Sequence, residues 1–312
     1  MRVLLRGKFR ALKEVLAYEG DEPILEPKEF ESPALVLTDD PLDRRAFGPP
    51  SVVVGGSSLF PFQTLPALGF SSPASSPMSC FVFRFFEGGS ASWRPQALLG
   101  LPIETLANDD LGPRCEAGLV CRYVDPGLDR LGFLWTPELE AVLREMSYCG
   151  FVSFGLFLPY DGLDVRLCSL QTGIPFNGIF NVLEGVKGRT VEFFTGESSW
   201  LQESWTVNLT LSRHPWPTVP PVPVRTFIKG LNREVLKHLR LFDTVSFRDS
   251  CYSDSLLLGC ASAWALQFPE AIRRATRTLR SLDIEDKTFR TDVVSVTSQS
   301  YRLVQDHLLL EG

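Results

Sequence analysis

Several signatures of common enzyme chemistry are missing from the 312-residue sequence. It has no GxxxxGK(S/T) phosphate loop, no GxGxxG after its first predicted strand and no CxxC pair. Its three histidines, at positions 214, 238 and 307, lack both the neighbours of a catalytic triad and the spacing of a zinc site. The sequence therefore does not indicate a Walker-type nucleotide site, a dinucleotide fold, a triad hydrolase or a zinc centre.

The sequence also lacks a net positive charge and a long apolar run. The net charge of -6 gives no electrostatic footprint for nucleic acid. No stretch approaches the roughly 20 apolar residues of a membrane helix, and charges interrupt the first 16 residues too early for a signal peptide. The seven cysteines are odd in number and scattered, which favours free thiols in a reducing compartment. We expect a cytoplasmic protein without a membrane or nucleic-acid partner.

The patterns that are present predict an α/β (α+β) chain in three parts. Residues 1–78 read as a shortened N-terminal α/β unit and a Ser/Pro/Phe-rich linker. Residues 79–205 contain the clearest strands, and residues 206–312 read as a small mixed C-terminal domain. The order of these parts favours a sheet-based core with helices packed on it.

Five predicted elements define the core and the C-terminal part. "CFVFRFFEGG" at 80–89 is a strand closed by glycines, and "TPELEAVLREM" at 136–146 is a helix with Thr136 as N-cap. Residues 150–170 form a hairpin around an Asp-Gly turn. The region 269–282 is a helix with one apolar stripe, and "TFRTDVVSVTSQSYRLV" at 288–304 looks strand-like because of its β-branched residues.

The segment "NDDLGPRCEAG" at 108–118 is a candidate binding loop. Asp109, Asp110, Arg114 and Glu116 crowd a Gly-Pro turn. Charged loops of this kind often bind small polar ligands. A solvated turn without a ligand is the alternative for this segment.

The segment "DVRLCSLQTGIPFNG" at 164–178 is a strand that runs into a glycine turn. Turns of this shape at the end of a hairpin often carry metal-binding carboxylates. This turn has no acid between Val165 and Asn177. It is either an ordinary turn or a catalytic turn that has lost its acids.

The order of these segments resembles phosphoribosylamine–glycine ligase, of the ATP-grasp superfamily, over residues 80–300. The matching pieces are "FFEGG", "DLGP", "WTPELEAVL", the hairpin, "TGIPF", "TVNLTLSRHPWP" and "LDIEDKTFRTDV". The resemblance implies a truncated ATP-grasp-like core with a small C-terminal domain. It also implies an ancestral ligase reaction that uses ATP and Mg²⁺.

Departures from the family pattern fall where the resemblance implies catalytic residues. Leu167 and Ser169 stand at the metal-binding positions, and Gln171 stands at an arginine. The later turn keeps Gly173 and Pro175, but its two acids are replaced by Ile174 and Phe176. Because Mg²⁺ prefers carboxylate oxygens, no metal is expected here. The family has acidic residues in the first strand, where this sequence has Phe83 and Arg84. Residues 1–79 also contain no counterpart of the family's Gly/Lys-rich segment that binds the nucleotide.

Two functions follow from this pattern. The first is a degenerate, non-catalytic binding or assembly module that needs no cofactor and recognises a small polar ligand or a protein partner. Its candidate ligand-binding residues are Asp110, Gly112, Pro113, Arg114, Gln171, Gly173 and Pro175. The second is a divergent, active carboxylate–amine ligase of purine synthesis that uses ATP and Mg²⁺. Its substitute metal ligands would be Asp161, Asp164 and Glu184. A weaker third idea is a pocket for a base or another apolar partner.

Overall fold

A computed structural model describes most of the chain beyond residue 77. The described residues are 78–87, 90, 92–111, 113–124, 129–146, 148–159, 165–195, 204–217, 225–242, 244–247 and 250–308. For the first 77 residues, only the backbone of four short strands is described. Most of the predicted N-terminal unit and of the Ser/Pro/Phe-rich linker therefore lies outside the described residues.

The strands of the described residues fall into three sheets. They are β1 (Arg2–Leu5), β2 (Glu22–Ile24), β3 (Leu35–Thr38), β4 (Val52–Val53), β5 (Cys80–Glu87), β6 (Ser92–Thr105), β7 (Arg114–Val124), β8 (Gly150–Phe157), β9 (Arg166–Thr172), β10 (Trp205–Arg213), β11 (Thr226–Ile228), β12 (Leu239–Leu241), β13 (Thr244–Phe247), β14 (Ser250–Ser253), β15 (Leu257–Ala265) and β16 (Lys287–Thr288).

The helices of the described residues are mostly short. They are α1 (Pro137–Glu145), α2 (Ile179–Val186), α3 (Thr190–Thr195), α4 (Arg233–His238), α5 (Phe268–Ser281) and α6 (Val293–Leu308), with 3₁₀ turns at Asn108–Asp110 and Asp129–Leu134. None of them has both the length and the apolar composition needed to cross a membrane.

The central feature is a nine-stranded sheet in the order β12-β15-β10-β7-β6-β5-β8-β9, with β16 paired to β10. Its neighbouring strands pair antiparallel, so alternate side chains face opposite sides. One side packs against α1, α5 and α6 and forms the large core. The other side packs against α2 and α3 and forms the phenylalanine-rich core, whose aromatic members are Phe81, Phe83, Phe85, Phe151, Phe176, Phe180, Phe193 and Phe194.

The predicted α/β class is confirmed, and the main core elements match the expectation. The strand predicted at 80–89 is β5, and the hairpin is the antiparallel pair β8 and β9. Helix α1 begins after Thr136, whose side-chain oxygen accepts a hydrogen bond from the Leu139 backbone N–H at 3.2 Å. The apolar stripe of α5 (Ala271, Ile272, Ala275 and Leu279) is buried in the large core.

One predicted strand is wrong, and a second is divided between two sheets. The strand-like end at 288–304 is mostly the helix α6, because Val293, Thr297, Val304 and Leu308 are buried at spacings that fit one helical face. This packing outweighs the strand preference of the β-branched residues. The sequence also predicts one strand over "LFDTVSF" at 241–247, but these residues are divided between β12 and β13, which belong to different sheets.

The predicted boundary at 205/206 falls at the first residue of β10. Strand β10 pairs with β7 on one side and with β15 on the other. Strands from both predicted segments therefore share one sheet, and the domain division stays a prediction. The remaining sheets are the parallel β2-β1-β3-β4 and the antiparallel β11-β14-β13.

Candidate functional site

A buried arginine joins two segments that lie 180 residues apart. The Arg290 side chain is fully buried, and its Nη1 donates to Asp110 Oδ1 at 2.5 Å. Its Nε and Nη2 donate to the two carboxylate oxygens of Asp292, at 2.6 and 3.1 Å. Nη1 also donates to the Thr105 side chain at 2.9 Å. The charge is thus both paired and hydrogen-bonded, as a buried arginine requires.

The protonation states of this cluster follow from the contacts. Burial alone would lower the pKa of Arg290, but the hydrogen bonds to Asp292 and Asp110 raise the pKa above its ordinary value. The Arg290 guanidinium in turn lowers the pKa of Asp292. The cluster is therefore a fixed ionic group at neutral pH, and it does not act as a proton donor.

The same contacts hold the loop at 108–111 in a strained shape. Asp109 and Asp110 have φ values of 58° and 55°, in the left-handed region. Non-glycine residues in this region cost about 1 kcal/mol each. The Asp109 N–H donates to Asp292 Oδ2 at 2.9 Å, and Asn108 Nδ2 donates to Thr291 Oγ1 at 3.1 Å. The 290–292 segment therefore defines the loop conformation.

The loop presents opposite charges to solvent. Asp110 is 62% exposed although it binds Arg290. Arg114 is 68% exposed and lies 3.3 Å from Glu104. Leu111 is 66% exposed between them, whereas Gly112 lies outside the described residues. The loop therefore exposes charges of both signs.

The thiol next to this loop is not activated. Burial raises the pKa of Cys115, and the Glu116 charge acts in the same direction. A protonated thiol is a poor nucleophile. The chemistry available at this loop is therefore charge recognition.

The turn at 173–178 is buried and tightly held. Gly173, at φ 83°, donates its N–H to the Phe151 carbonyl at 2.6 Å. Phe176 and Asn177 are also left-handed, and Asn208 Nδ2 donates to their carbonyls at 3.0 and 3.2 Å. Asn208 donates a further hydrogen bond to Asn181 Oδ1. A buried amide on β10 therefore fixes the shape of this turn.

The predicted ligand-binding residues form two separate groups. Asp110, Pro113 and Arg114 are exposed on the loop, whereas Gln171, Gly173 and Pro175 are buried in β9 and the turn. Within the described part of the chain, no hydrogen bond or ion pair joins the two groups.

The positions of the missing acids are filled with apolar side chains. Ile174 and Phe176 belong to the phenylalanine-rich core, where Phe176 meets the Phe81 ring edge-on at 5.7 Å. Phe83 stacks on Phe81 at 5.4 Å. The side chains at these positions are therefore buried and apolar, and they offer no oxygen ligand.

Leu167 and Ser169 point to opposite faces of the sheet. Leu167 is buried in the large core. A Cβ placed on Gly155 would lie 2.2 Å from Ser169 Oγ and 2.6 Å from Met78 Sδ, on the phenylalanine-rich side. The register shifts between Gly155 and Leu156, so β9 has one extra residue here. These two positions do not form one ligand cluster.

Glu184 is the described member of the three proposed substitute acids, since Asp161 and Asp164 lie outside the described residues. Its side chain is 10% exposed, and its Oε1 accepts a hydrogen bond from Ser262 at 2.8 Å. His238 Nδ1 lies 3.8 Å from the same oxygen. These neighbours lie on β15 and α4, not on β9. The residues that the structure describes contain no group of three His, Cys, Asp or Glu that could hold a metal.

Sequence reasoning identified the loop but missed the residues that hold it. Arg290 and Asp292 lie in "FRTDV", a segment that contributes to the family resemblance but for which the sequence predicts no function. Asn208 lies in an ordinary strand pattern and carries no signal, because the sequence does not reveal which turn lies against it.

Comparisons with known proteins support the fold. No family model matches the sequence, and no curated protein does. Among solved structures, Rhizobium etli pyruvate carboxylase with acetyl coenzyme-A matches at 10% identity and TM-score 0.53, over 96% of this chain and 37% of that chain. Kluyveromyces lactis urea carboxylase matches at 8% identity and TM-score 0.50, over 96% and 31%. Phosphoribosylamine–glycine ligase from Thermotoga maritima matches at 16% identity and TM-score 0.48, over 68% and 55%.

The two matches with TM-scores of 0.53 and 0.50 show that this chain shares its fold with parts of pyruvate carboxylase and urea carboxylase. Identities of 8 to 16% carry no information about reaction or substrate. The chain spans 31 to 55% of the length of the three matched chains. Function must therefore be argued from the site residues.

Proposed function

We propose that the protein is a non-catalytic ATP-grasp relative that binds a small polar ligand at the loop 108–114. The observation that carries this proposal is the buried Arg290, which holds a strained, exposed loop in one shape. Burying a charge and straining two aspartates are both unfavourable unless other contacts offset them. These contacts hold residues 108–110, and groups that are held in place before binding lose less conformational entropy when a ligand binds.

The non-catalytic part of the proposal rests on the filled positions. Phosphoryl transfer needs metal ions and cations that neutralise the phosphate charge. Ile174 and Phe176 supply neither, and both lie among packed aromatic rings. The free cysteines fit the reducing cytoplasm, where we place the protein.

We expect small amino acids, glycine first, to bind at this loop with millimolar or tighter affinity. The Arg114→Ala variant should weaken binding at least tenfold, because it removes the exposed guanidinium that meets the ligand carboxylate. Calorimetric titration of the full chain measures the affinity. Arg225→Ala is the matched control, since Arg225 is also an exposed arginine paired with a carboxylate, in its case that of Asp254.

Equal binding by the wild type and the Arg114→Ala variant would place the ligand elsewhere. Binding by neither protein would leave the loop as a solvated turn and favour a protein partner.

A divergent ligase of purine synthesis is the second candidate. The observation that favours it is the nine-tenths-buried carboxylate of Glu184 beside Ser262 and His238. In that case Mg²⁺-dependent turnover of ATP should be measurable, and Glu184→Gln should abolish it. Turnover that survives this substitution would remove Glu184 as a metal ligand.

A further inference from the structure

The exposed side of α5 carries a stripe of arginines. Arg273, Arg277 and Arg280 follow one another at intervals of four and three residues, so they lie on one side of the helix over about 10 Å. Arg274 lies beside this stripe, and all four side chains are exposed. The opposite side of α5 is buried in the large core. The helix therefore presents a row of cations to solvent.

A fifth cation extends this row toward β15. Lys187 follows α2 and is exposed, and its Nζ lies 3.5 Å from the centre of the Trp264 ring. Arg274 contacts the same tryptophan, since its Nη1 donates to the Trp264 carbonyl at 3.0 Å. The cationic surface of α5, as we call it, consists of Lys187, Arg273, Arg274, Arg277 and Arg280.

Within the described part of the chain, negative charge does not balance this surface. Glu270 is the one carboxylate there that pairs with it, through Arg273 at 2.9 Å and Arg274 at 3.1 Å. Arg277 and Arg280 form no ion pair with the described residues. Five cations against one carboxylate leave an excess of four positive charges. Like charges at these helical spacings repel each other, so an acidic partner would relieve the repulsion.

The described contacts give Arg277 and Arg280 no role in holding the helix. An arginine near the C-terminus of a helix often donates to the last carbonyls. In α5 Lys287 does this, since its Nζ donates to the carbonyls of Leu279 and Arg280 at 3.2 and 3.0 Å. The guanidinium groups of Arg277 and Arg280 form no hydrogen bond with the described residues. Each is therefore available to a carboxylate, which a guanidinium can bind through two parallel hydrogen bonds.

The charge of the whole chain restricts the kind of partner. The net charge is -6, so the chain outside this surface carries a net negative charge. A nucleic acid or an anionic membrane would bring its own negative charge close to much of the remaining surface. An acidic protein segment can instead confine its carboxylates to the stripe, since three residues of extended chain span about 10 Å.

We propose that the cationic surface of α5 docks a segment of a partner protein that is rich in Asp and Glu. The carboxylates of the segment accept hydrogen bonds from Arg277 and Arg280 first, because no described acid competes for these two side chains. The surface shares no residue with the loop at 108–114, and the proposal does not depend on the function proposed for that loop.

The test is titration of a fluorescein-labelled decaglutamate peptide with the full-length protein, followed by fluorescence anisotropy at constant ionic strength. The comparison probes are a neutral glycine–serine decapeptide and a ten-nucleotide thymidylate strand, both labelled in the same way. Co-sedimentation with phosphatidylserine vesicles measures membrane binding. We expect saturable decaglutamate binding that is at least tenfold tighter than binding of each comparison probe and that weakens as salt is added.

Three double variants separate a specific surface from a general effect of charge. Arg277→Gln with Arg280→Gln should weaken decaglutamate binding at least tenfold, because it removes two charged donors. Arg277→Lys with Arg280→Lys keeps both charges and should retain binding to within about threefold. Arg144→Gln with Arg166→Gln is the matched control and should leave binding unchanged. It removes two arginines, on α1 and β9, that are also exposed and form no ion pair with the described residues.

Thermal unfolding establishes that each variant is folded, which we expect because glutamine and lysine are good helix formers at exposed positions. The absence of saturable decaglutamate binding would overturn the proposal. An equal loss of binding in the glutamine variant of α5 and in its control would also overturn it, as would an equal loss in the glutamine and lysine variants of α5. Binding of the thymidylate strand or of the vesicles as tight as that of decaglutamate would assign the surface to a nucleic acid or a membrane instead.

Discussion

Arg290 is the residue on which the candidate loop depends. It is fully buried, and it pairs with Asp110, which lies in the loop after β6, and with Asp292, which precedes α6. We expect Arg290→Met to destabilise the protein by about 3–5 kcal/mol, because it leaves Asp292 without its partner and frees the loop. Denaturant unfolding measures this change. The control is Arg114→Met, which breaks an exposed pair and should cost less than about 1 kcal/mol.

A cost below about 1 kcal/mol for Arg290→Met would mean that the loop keeps its shape without the buried arginine. The argument that the loop is preorganised would then fail.

Asp292 makes stability sensitive to acid. Its pKa is lowered from 3.8 by Arg290 in the folded protein, so the folded state binds the proton less readily than the unfolded state does. The stabilisation is fully present above about pH 4 and is lost as the pH falls through the lower folded pKa. Unfolding curves between pH 6 and pH 2.5 should show that Asp292→Asn flattens this decline. If the stability of the variant falls as steeply with decreasing pH as that of the wild type, other carboxylates cause the decline.

At the residue scale, the sequence identified the exposed charges but not the buried partners. Asp110 and Arg114 stand out because a charged Gly-Pro loop is a local pattern. The contact between Arg290 and Asp110 spans 180 residues and depends on how α6 packs on the sheet, which no local pattern contains. The sequence also does not predict the side of the sheet on which Leu167 lies, because the extra residue in β9 changes the alternation of its side chains.

At the element scale, β10 acts as the support of the turn at 173–178. Asn208 donates to two carbonyls of left-handed residues and to Asn181. We expect Asn208→Ala to cost about 3 kcal/mol, because it leaves buried carbonyls unpaired and opens a small cavity. Thermal or denaturant unfolding measures this cost. Asn108→Ala removes an exposed asparagine that also forms a hydrogen bond, and it should cost under about 1 kcal/mol.

If Asn208→Ala and Asn108→Ala cost the same, the turn is held by contacts other than those of Asn208. Gly173, with its hydrogen bonds to Phe151 and Tyr148, would then be the main support.

Prediction succeeded for elements with strong local signals and failed where packing decides. Thr136 and Pro137 mark the start of α1 by the chemistry of a helix N-terminus, and the structure confirms it. Helix α6 has a β-branched sequence, and only its buried face explains why it is helical. The divided segment at 241–247 also depends on contacts with two different sheets.

At the scale of the whole molecule, the sheet separates two environments. One face carries the large core with α1, α5 and α6, and the other carries the phenylalanine-rich core under α2 and α3. The positions where the resemblance implies turn acids lie in the second core, whereas the charged loop lies outside it. The charged groups of the proposed binding loop therefore lie apart from the turn at 173–178.

Calorimetric titration of the purified protein with ATP, with and without Mg²⁺, tests the central claim most directly. We predict no binding at millimolar ATP in either condition, because Ile174 and Phe176 fill the positions of the acids and no described cluster can hold the metal. Magnesium-dependent binding of ATP would contradict the non-catalytic assignment and would direct attention to Glu184 and the other substitute acids.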